Sequence, residues 1–224
     1  YYLTWIFVLL FWILLIYSFL KDKDRFHRFL DDYITIGSLI FILLYLYVYI
    51  AFSGAGFNLW DEFQHWGPMV REMMKTNTFY SVKESVLIHH KDYPPFYPLL
   101  EYLFCCFKEA FYLENRLYIA NVTFMLSLFL PVLDKLDRKK ITHWLIGVIS
   151  AVSFVLVGLI ITLTPNASDL AHVYTSVYVD WPLAVLAAHG LYRAFQKESD
   201  KFYYFDCFLT FTMLLMTKQM GLPL

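Results

Sequence analysis

Across 224 residues the chain is 59% hydrophobic, 21% aromatic and only 17% charged. This is more apolar surface than one globular core can hide and excludes an ordinary soluble domain. Eighteen basic and nineteen acidic residues leave a formal charge of −1, which excludes any global attraction to nucleic acid. Cys105, Cys106 and Cys207 are odd in number and lack metal-ligand spacing, so neither a disulfide framework nor a zinc site is expected.

The apolar residues fall in blocks about as long as a bilayer is thick. Residues 1–20 carry no charge, and at ~1.5 Å of rise per residue they cover the ~30 Å hydrocarbon layer. No basic leader or small-residue cleavage site marks them as a signal peptide. Further runs at 34–52, 117–133, 141–163, 181–191 with its flanks, and 202–217 bring the expectation to six spans and an all-α polytopic membrane protein. The chain begins at Tyr1 rather than Met and stops at Leu224 within an apolar run, so it reads as a segment cut from something longer.

Orientation follows from the basic residues of the short loops, which stay on the cytoplasmic side. Loop 21–33 holds Lys21, Lys23, Arg25 and Arg28, loop 134–140 holds Lys135, Arg138, Lys139 and Lys140, and loop 192–201 holds Arg193, Lys197 and Lys201. With these inside, 54–115 and 164–181 lie outside. The same parity excludes a seventh span at Phe96–Phe107, whose length, with Pro98 and Glu101 inside it, fits an interfacial or re-entrant helix.

The long outer loop opens with Gly54 and Gly56 and continues as LWDEFQHWGPMVREMMK. Phe63, Trp66, Val70, Met73 and Met74 recur at helical spacing as one apolar stripe. Asp61, His65 and Glu72 fall within ~40° of one another on another face. That face is either the solvated side of an interfacial helix or a site for acid–base chemistry. Further on, HHKDYPPFYP is held extended by its prolines. It places His89, His90, Lys91 and Tyr93 at headgroup depth, where Lys91 either meets a lipid phosphate or snorkels. The two histidines, being adjacent, point different ways and make a poor metal pair.

The second outer loop lacks Lys and Arg but contains Asp169 and Asp180. Asp180 precedes Trp181-Pro182 and is read either as a helix N-cap or as a functional carboxylate close in depth to Asp61. Two carboxylates at one depth can divide acid–base work or share a metal ion. Lys218, with Gln219 beside it, lies about sixteen residues into the last span, hence ~24 Å from its start. There it either snorkels or meets the same anionic ligand. Asn121-Val-Thr and Asn166-Ala-Ser match the glycosylation sequon, but the first lies in a span.

The order of these features resembles the GT-C type membrane glycosyltransferases, the group containing protein O-mannosyltransferases and the aminoarabinose transferase of lipid A. The resemblance runs from Asn58 to Arg193, with a weaker echo in Thr-Lys-Gln-Met-Gly at 217–221. It implies an additional transmembrane helix at 1–20, followed over 21–224 by the N-terminal part of a GT-C-like domain, truncated at its C-terminal end. It implies transfer, with inversion, of a sugar from a polyprenyl-phosphate donor to a glycan, lipid or protein acceptor at the outer face. The membrane would be the plasma membrane, or the endoplasmic reticulum in a eukaryote. By the resemblance Asp61 is the essential acid, with Glu62 beside it. Asp180, with Trp181 interposed before the family's Pro, orients Asp61 or a divalent metal such as Mg or Mn. Lys91, Arg116 and Lys218 would hold the donor phosphate, with His65, His90 and Tyr93 also binding substrate. The rival reading is a polytopic transporter or flippase. Such proteins put ionisable groups near the midplane, where these spans carry almost none.

Overall fold

The computed structural model describes residues 2–21, 24, 26, 29, 33–80, 91–106, 113–163, 176–196 and 201–218. Among the described residues every regular element is helical. In order they are α1 (Tyr2–Lys21), α2 (Ile36–Ala51), a single π-turn (Glu62–Trp66) running into α3 (Gly67–Thr76), α4 (Phe96–Cys106), α5 (Glu114–Leu133), α6 (Ile141–Leu163), α7 (Asp180–Phe195) and α8 (Lys201–Thr217). Each of the six charge-poor runs contains a helix, and the ambiguous Phe96 segment forms a short one of 11 residues. By length and composition α5 is the one helix among the described residues that can cross a membrane. Leu9–Lys21, Ile36–Ala51, Phe96–Cys106 and Ile141–Leu156 are shorter apolar stretches.

α5 is the hub. It buries Leu117, Tyr118, Ala120, Asn121 and Val122, and α2, α4 and α7 pack on it. α6 lies against α2, and α8 pairs with α7 and reaches α4. α2 begins with a reciprocal cap, in which the Ser38 amide donates to Thr35 Oγ1 at 3.0 Å and the Thr35 amide to Ser38 Oγ at 2.9 Å. Such a box satisfies amides that a helix start leaves orphaned. The Thr35 hydroxyl then donates to Asp134, just past α5, and so joins the start of α2 to the end of the hub. At the opposite end of α5 a compact core brings together Phe57, Trp66, Val70, Tyr97, Tyr118 and Val177 from loops and three helices. Other apolar side chains stay uncovered, among them Leu9, Phe11 and Leu14 on α1, Leu145 and Ile149 on α6, and Phe205 and Phe208 on α8.

The segment from Asp61 departs from the continuous amphipathic α-helix that its spacing predicts. The Gly67 amide donates to the Glu62 carbonyl, an i→i+5 bond that takes one extra residue into the turn. Residues ahead of the turn are therefore rotated by about 100° relative to α3. Phe63 leaves the apolar stripe and is 52% exposed. Glu62 and His65 turn inward, and Glu72, expected on the outward acidic face, is buried as well. Trp66, Val70 and Met73 keep the stripe. Only glycine tolerates this close approach at position 67, because a Cβ there would stand 2.6 Å from the Glu62 carbonyl oxygen and inside the Phe57 ring. Gly67→Ala should therefore destabilise the fold by about 1–3 kcal/mol, the cost of overpacking, read as a lower thermal midpoint in detergent.

Candidate functional site

The π-turn brings a carboxylate into the core. Glu62 is fully buried, and four donors converge on it. The backbone amides of Asn58 and Leu59 donate to Oε2 at 2.8 and 2.9 Å. The Tyr118 hydroxyl donates to the same oxygen at 3.0 Å, and the Val177 amide to Oε1 at 3.0 Å. The Tyr118 hydroxyl also lies 3.1 Å from the Gly56 carbonyl, so its one proton serves either acceptor. A second carboxylate reinforces the loop, since Glu114 Oε2 accepts from the Phe57 amide at 2.9 Å. Segments 56–62 and 176–179 are thereby fastened to the first turns of α5.

Asp61 sits beside this anchor and is half-buried. Its carboxylate makes no capping bond, and among the described residues no ion pair or hydrogen bond engages it. His65 is buried edge-on to Tyr93, with ring centroids 5.8 Å apart, and lies 4.8 Å from the Trp66 ring. The Tyr93 carbonyl accepts from the Tyr80 hydroxyl at 2.6 Å. Burial, with the charge of Asp92, pushes that hydroxyl up to about 12, so it stays a donor. The Lys91–Tyr93 segment is thus held against the same core. His90 lies outside the described residues, as do His89, Asn166, Asp169 and Gln219.

Arg116 lies one turn from Leu113 on α5, half-buried, with its guanidinium 5.4 Å from the centroid of the Tyr49 ring. Among the described residues its buried Nε has no hydrogen-bond partner. Asp180 is the first residue of α7. The N-cap is Val179, with no side-chain capping bond, so the capping alternative does not hold for Asp180. Its Oδ1 instead accepts from Lys218 Nζ at 2.6 Å, so Lys218 reaches the same end of the bundle. The Glu62–Val177 bond puts Asp61 and Asp180 on adjoining segments. Among the described residues no three His, Cys, Asp or Glu side chains group around a metal position. A metal shared by Asp61 and Asp180 would have to displace the Lys218 ammonium and draw its other ligands from elsewhere.

Two polar groups of the core carry no pattern that the sequence exposes as functional. Asn121 is buried in α5, takes the Tyr97 hydroxyl as donor, and donates from Nδ2 to the Ser176 carbonyl at 2.7 Å. Its one visible signal is a carboxamide within an apolar run, where polar groups act as glue between segments. Glu101 of α4 is fully buried, and among the described residues neither carboxyl oxygen has a hydrogen-bond partner. Desolvation, with the nearby charge of Glu62, holds its carboxyl well above the usual carboxylate range.

Glu101 makes the stability pH-dependent. A carboxyl raised in the folded state takes up a proton on folding, so its contribution is full below the ordinary value of 4.5 and is lost as pH rises through the folded value. Glu101→Gln should remove that component. The thermal midpoint of the wild type relative to Glu101→Gln is expected to be highest in acid and to fall as pH rises above 4.5, which a pH series of melting curves checks. Comparison with protein families, with curated proteins and with solved structures finds no match for this chain.

Proposed function

We propose that the chain is part of an integral membrane glycosyltransferase that moves a sugar from a polyprenyl-phosphate donor to an acceptor hydroxyl at the outer face. Uncovered apolar side chains on α1, α6 and α8 suit lipid as the surrounding solvent, and six helices over the charge-poor runs suit a polytopic arrangement. The observation that carries the reading is Asp61, a carboxylate without a partner among the described residues, on a turn that the buried Glu62 holds rigid. A general base needs this combination of a vacant acceptor and a fixed position.

In the proposed step Asp61 accepts the proton of the acceptor hydroxyl as that oxygen attacks the anomeric carbon. The bond from this carbon to the carrier phosphate breaks, and the phosphate leaves with the electron pair. Single displacement inverts the anomeric centre. Arg116, stacked on Tyr49 with a buried Nε that lacks an acceptor, is suited to the phosphate charge that grows as the bond breaks. Lys91 and Lys218 would add to that charge, and a phosphate would compete with Asp180 for the Lys218 ammonium. Glu62 takes no chemical part, since its oxygens are committed to the loops.

A transporter or flippase is the second reading. The observation nearest to it is an ionisable cluster between α7 and α8, at the cytoplasmic end by the loop charges, where Asp206 lies 2.6 Å from Arg193 Nε and 3.8 Å from His189 Nε2. The two readings part in one experiment on the protein in membranes with a panel of polyprenyl-phosphate sugars. Asp61→Asn should cut transfer by about 10²–10⁴-fold, the usual worth of a general base. Full transfer by Asp61→Asn contradicts the role of Asp61 as base, absence of transfer by the wild type from every donor contradicts the glycosyltransferase reading, and substrate movement lost in Asp206→Asn without any transfer supports the second.

A further inference from the structure

An open cleft of ≈ 690 Å³ lies between the loop that leaves α2, the flank of α3 and the first turn of α5. Gly54, Gly56, Arg71, Glu114 and Asn115 line it. Its size is that of a small-ligand site. Gly54 adopts φ +79° with open space around it, a left-handed conformation that suits glycine, and it leaves the loop backbone bare toward the cleft. Arg71 Nη2 stands 3.5 Å from Glu114 Oε1. The other oxygen of Glu114 is bound by the Phe57 amide, and the Gly56 carbonyl lies against Tyr118, which reaches Glu62. Cleft and Asp61 turn therefore share one hydrogen-bonded frame.

From this geometry we infer that the cleft receives the acceptor and that the acceptor is a neutral polyhydroxylated chain, a glycan. The inference rests on the glycosyltransferase reading and deepens it. Beside the apolar Ala55 and Leu113, the lining offers one guanidinium and one carboxylate, paired with each other, and one carboxamide, a balanced set of donors and acceptors next to a surface on which a sugar ring can lie. Vicinal hydroxyls both give and take hydrogen bonds and fit such a set, because each can bridge a donor and an acceptor. A phosphate would face Glu114, and a cation would face Arg71. At Gly54, where a Cβ would meet nothing, a sugar ring can come close to the loop. Asp61 follows on the same loop, and an acceptor presented from the cleft to its carboxylate would meet the donor in an oriented, near-unimolecular step.

The test is saturation-transfer NMR on the detergent-solubilised protein with mannotetraose, galactotetraose and maltotetraose as probes. At least one should receive saturation on its ring protons. Arg71→Ala at an exposed position and Asn115→Ala at a half-buried one should each weaken that binding by about tenfold, the equivalent of one good hydrogen bond. Asp61→Asn should leave the binding intact while cutting transfer by about 10²–10⁴-fold, so a failure of the catalytic reading shows as full transfer by Asp61→Asn with the cleft still occupied. Absence of saturation for all three probes, equal binding by Arg71→Ala and Asn115→Ala, or displacement of the probe by inorganic phosphate would overturn the assignment.

Discussion

Two loops more than a hundred residues apart in sequence meet at one carboxylate. Glu62 takes the amides of Asn58 and Leu59 from its own loop and the amide of Val177 from the other. The Tyr118 hydroxyl of α5 completes the set. Buried backbone amides must find acceptors, and short irregular segments cannot pair with one another as strands do. A single acidic side chain supplies those acceptors at once. Bonds to a charged group are worth about 1.5–3 kcal/mol each, and a buried donor left without its acceptor costs about 1–3 kcal/mol. The arrangement of this end of the bundle therefore depends on Glu62 more than on any single apolar contact.

The same constraint explains the local departures from regularity. Glu62 reaches the core because the π-turn adds a residue ahead of α3, and the turn closes because position 67 has no Cβ. Asp61, the residue before the π-turn, stays half-buried beside this anchor with a carboxylate that no group among the described residues engages. Glu101 is buried under the field of Glu62, without a hydrogen-bond partner among the described residues, so a fully bonded carboxylate and an unbonded carboxyl share this core. The charge on the first makes ionisation of the second unfavourable.

The helices were legible because charge is scarce in this chain and its rare appearances mark the ends of apolar runs. The short α4 was legible from loop parity, length and Pro98. The capping alternative for Asp180 failed because the backbone places Val179 at the N-cap, while Lys218, far away in sequence, takes the Asp180 carboxylate. Glu62 was visible as a companion of Asp61 but not as an anchor, since its partner at Val177 follows no periodicity. A 100° wheel drawn through Asp61, His65 and Glu72 assumes an unbroken helix. It therefore put outward two residues, His65 and Glu72, that the π-turn and the packing of α3 turn inward. The burial of Glu101 arises from α4 packing on α3 and α5, a tertiary fact that a glutamate in an interfacial segment does not announce.

The role of Glu62 as the joint between the two loops is open to direct measurement by hydrogen exchange of the protein in detergent, comparing wild type with Glu62→Gln. A glutamine keeps one acceptor oxygen and turns an N–H₂ group to the donors of the other, so protection should be lost either at Val177 or at Asn58 and Leu59 while the amides within α5 keep theirs. Unchanged protection at all three amides in Glu62→Gln would contradict the account, because the loops would then be held by something other than this carboxylate.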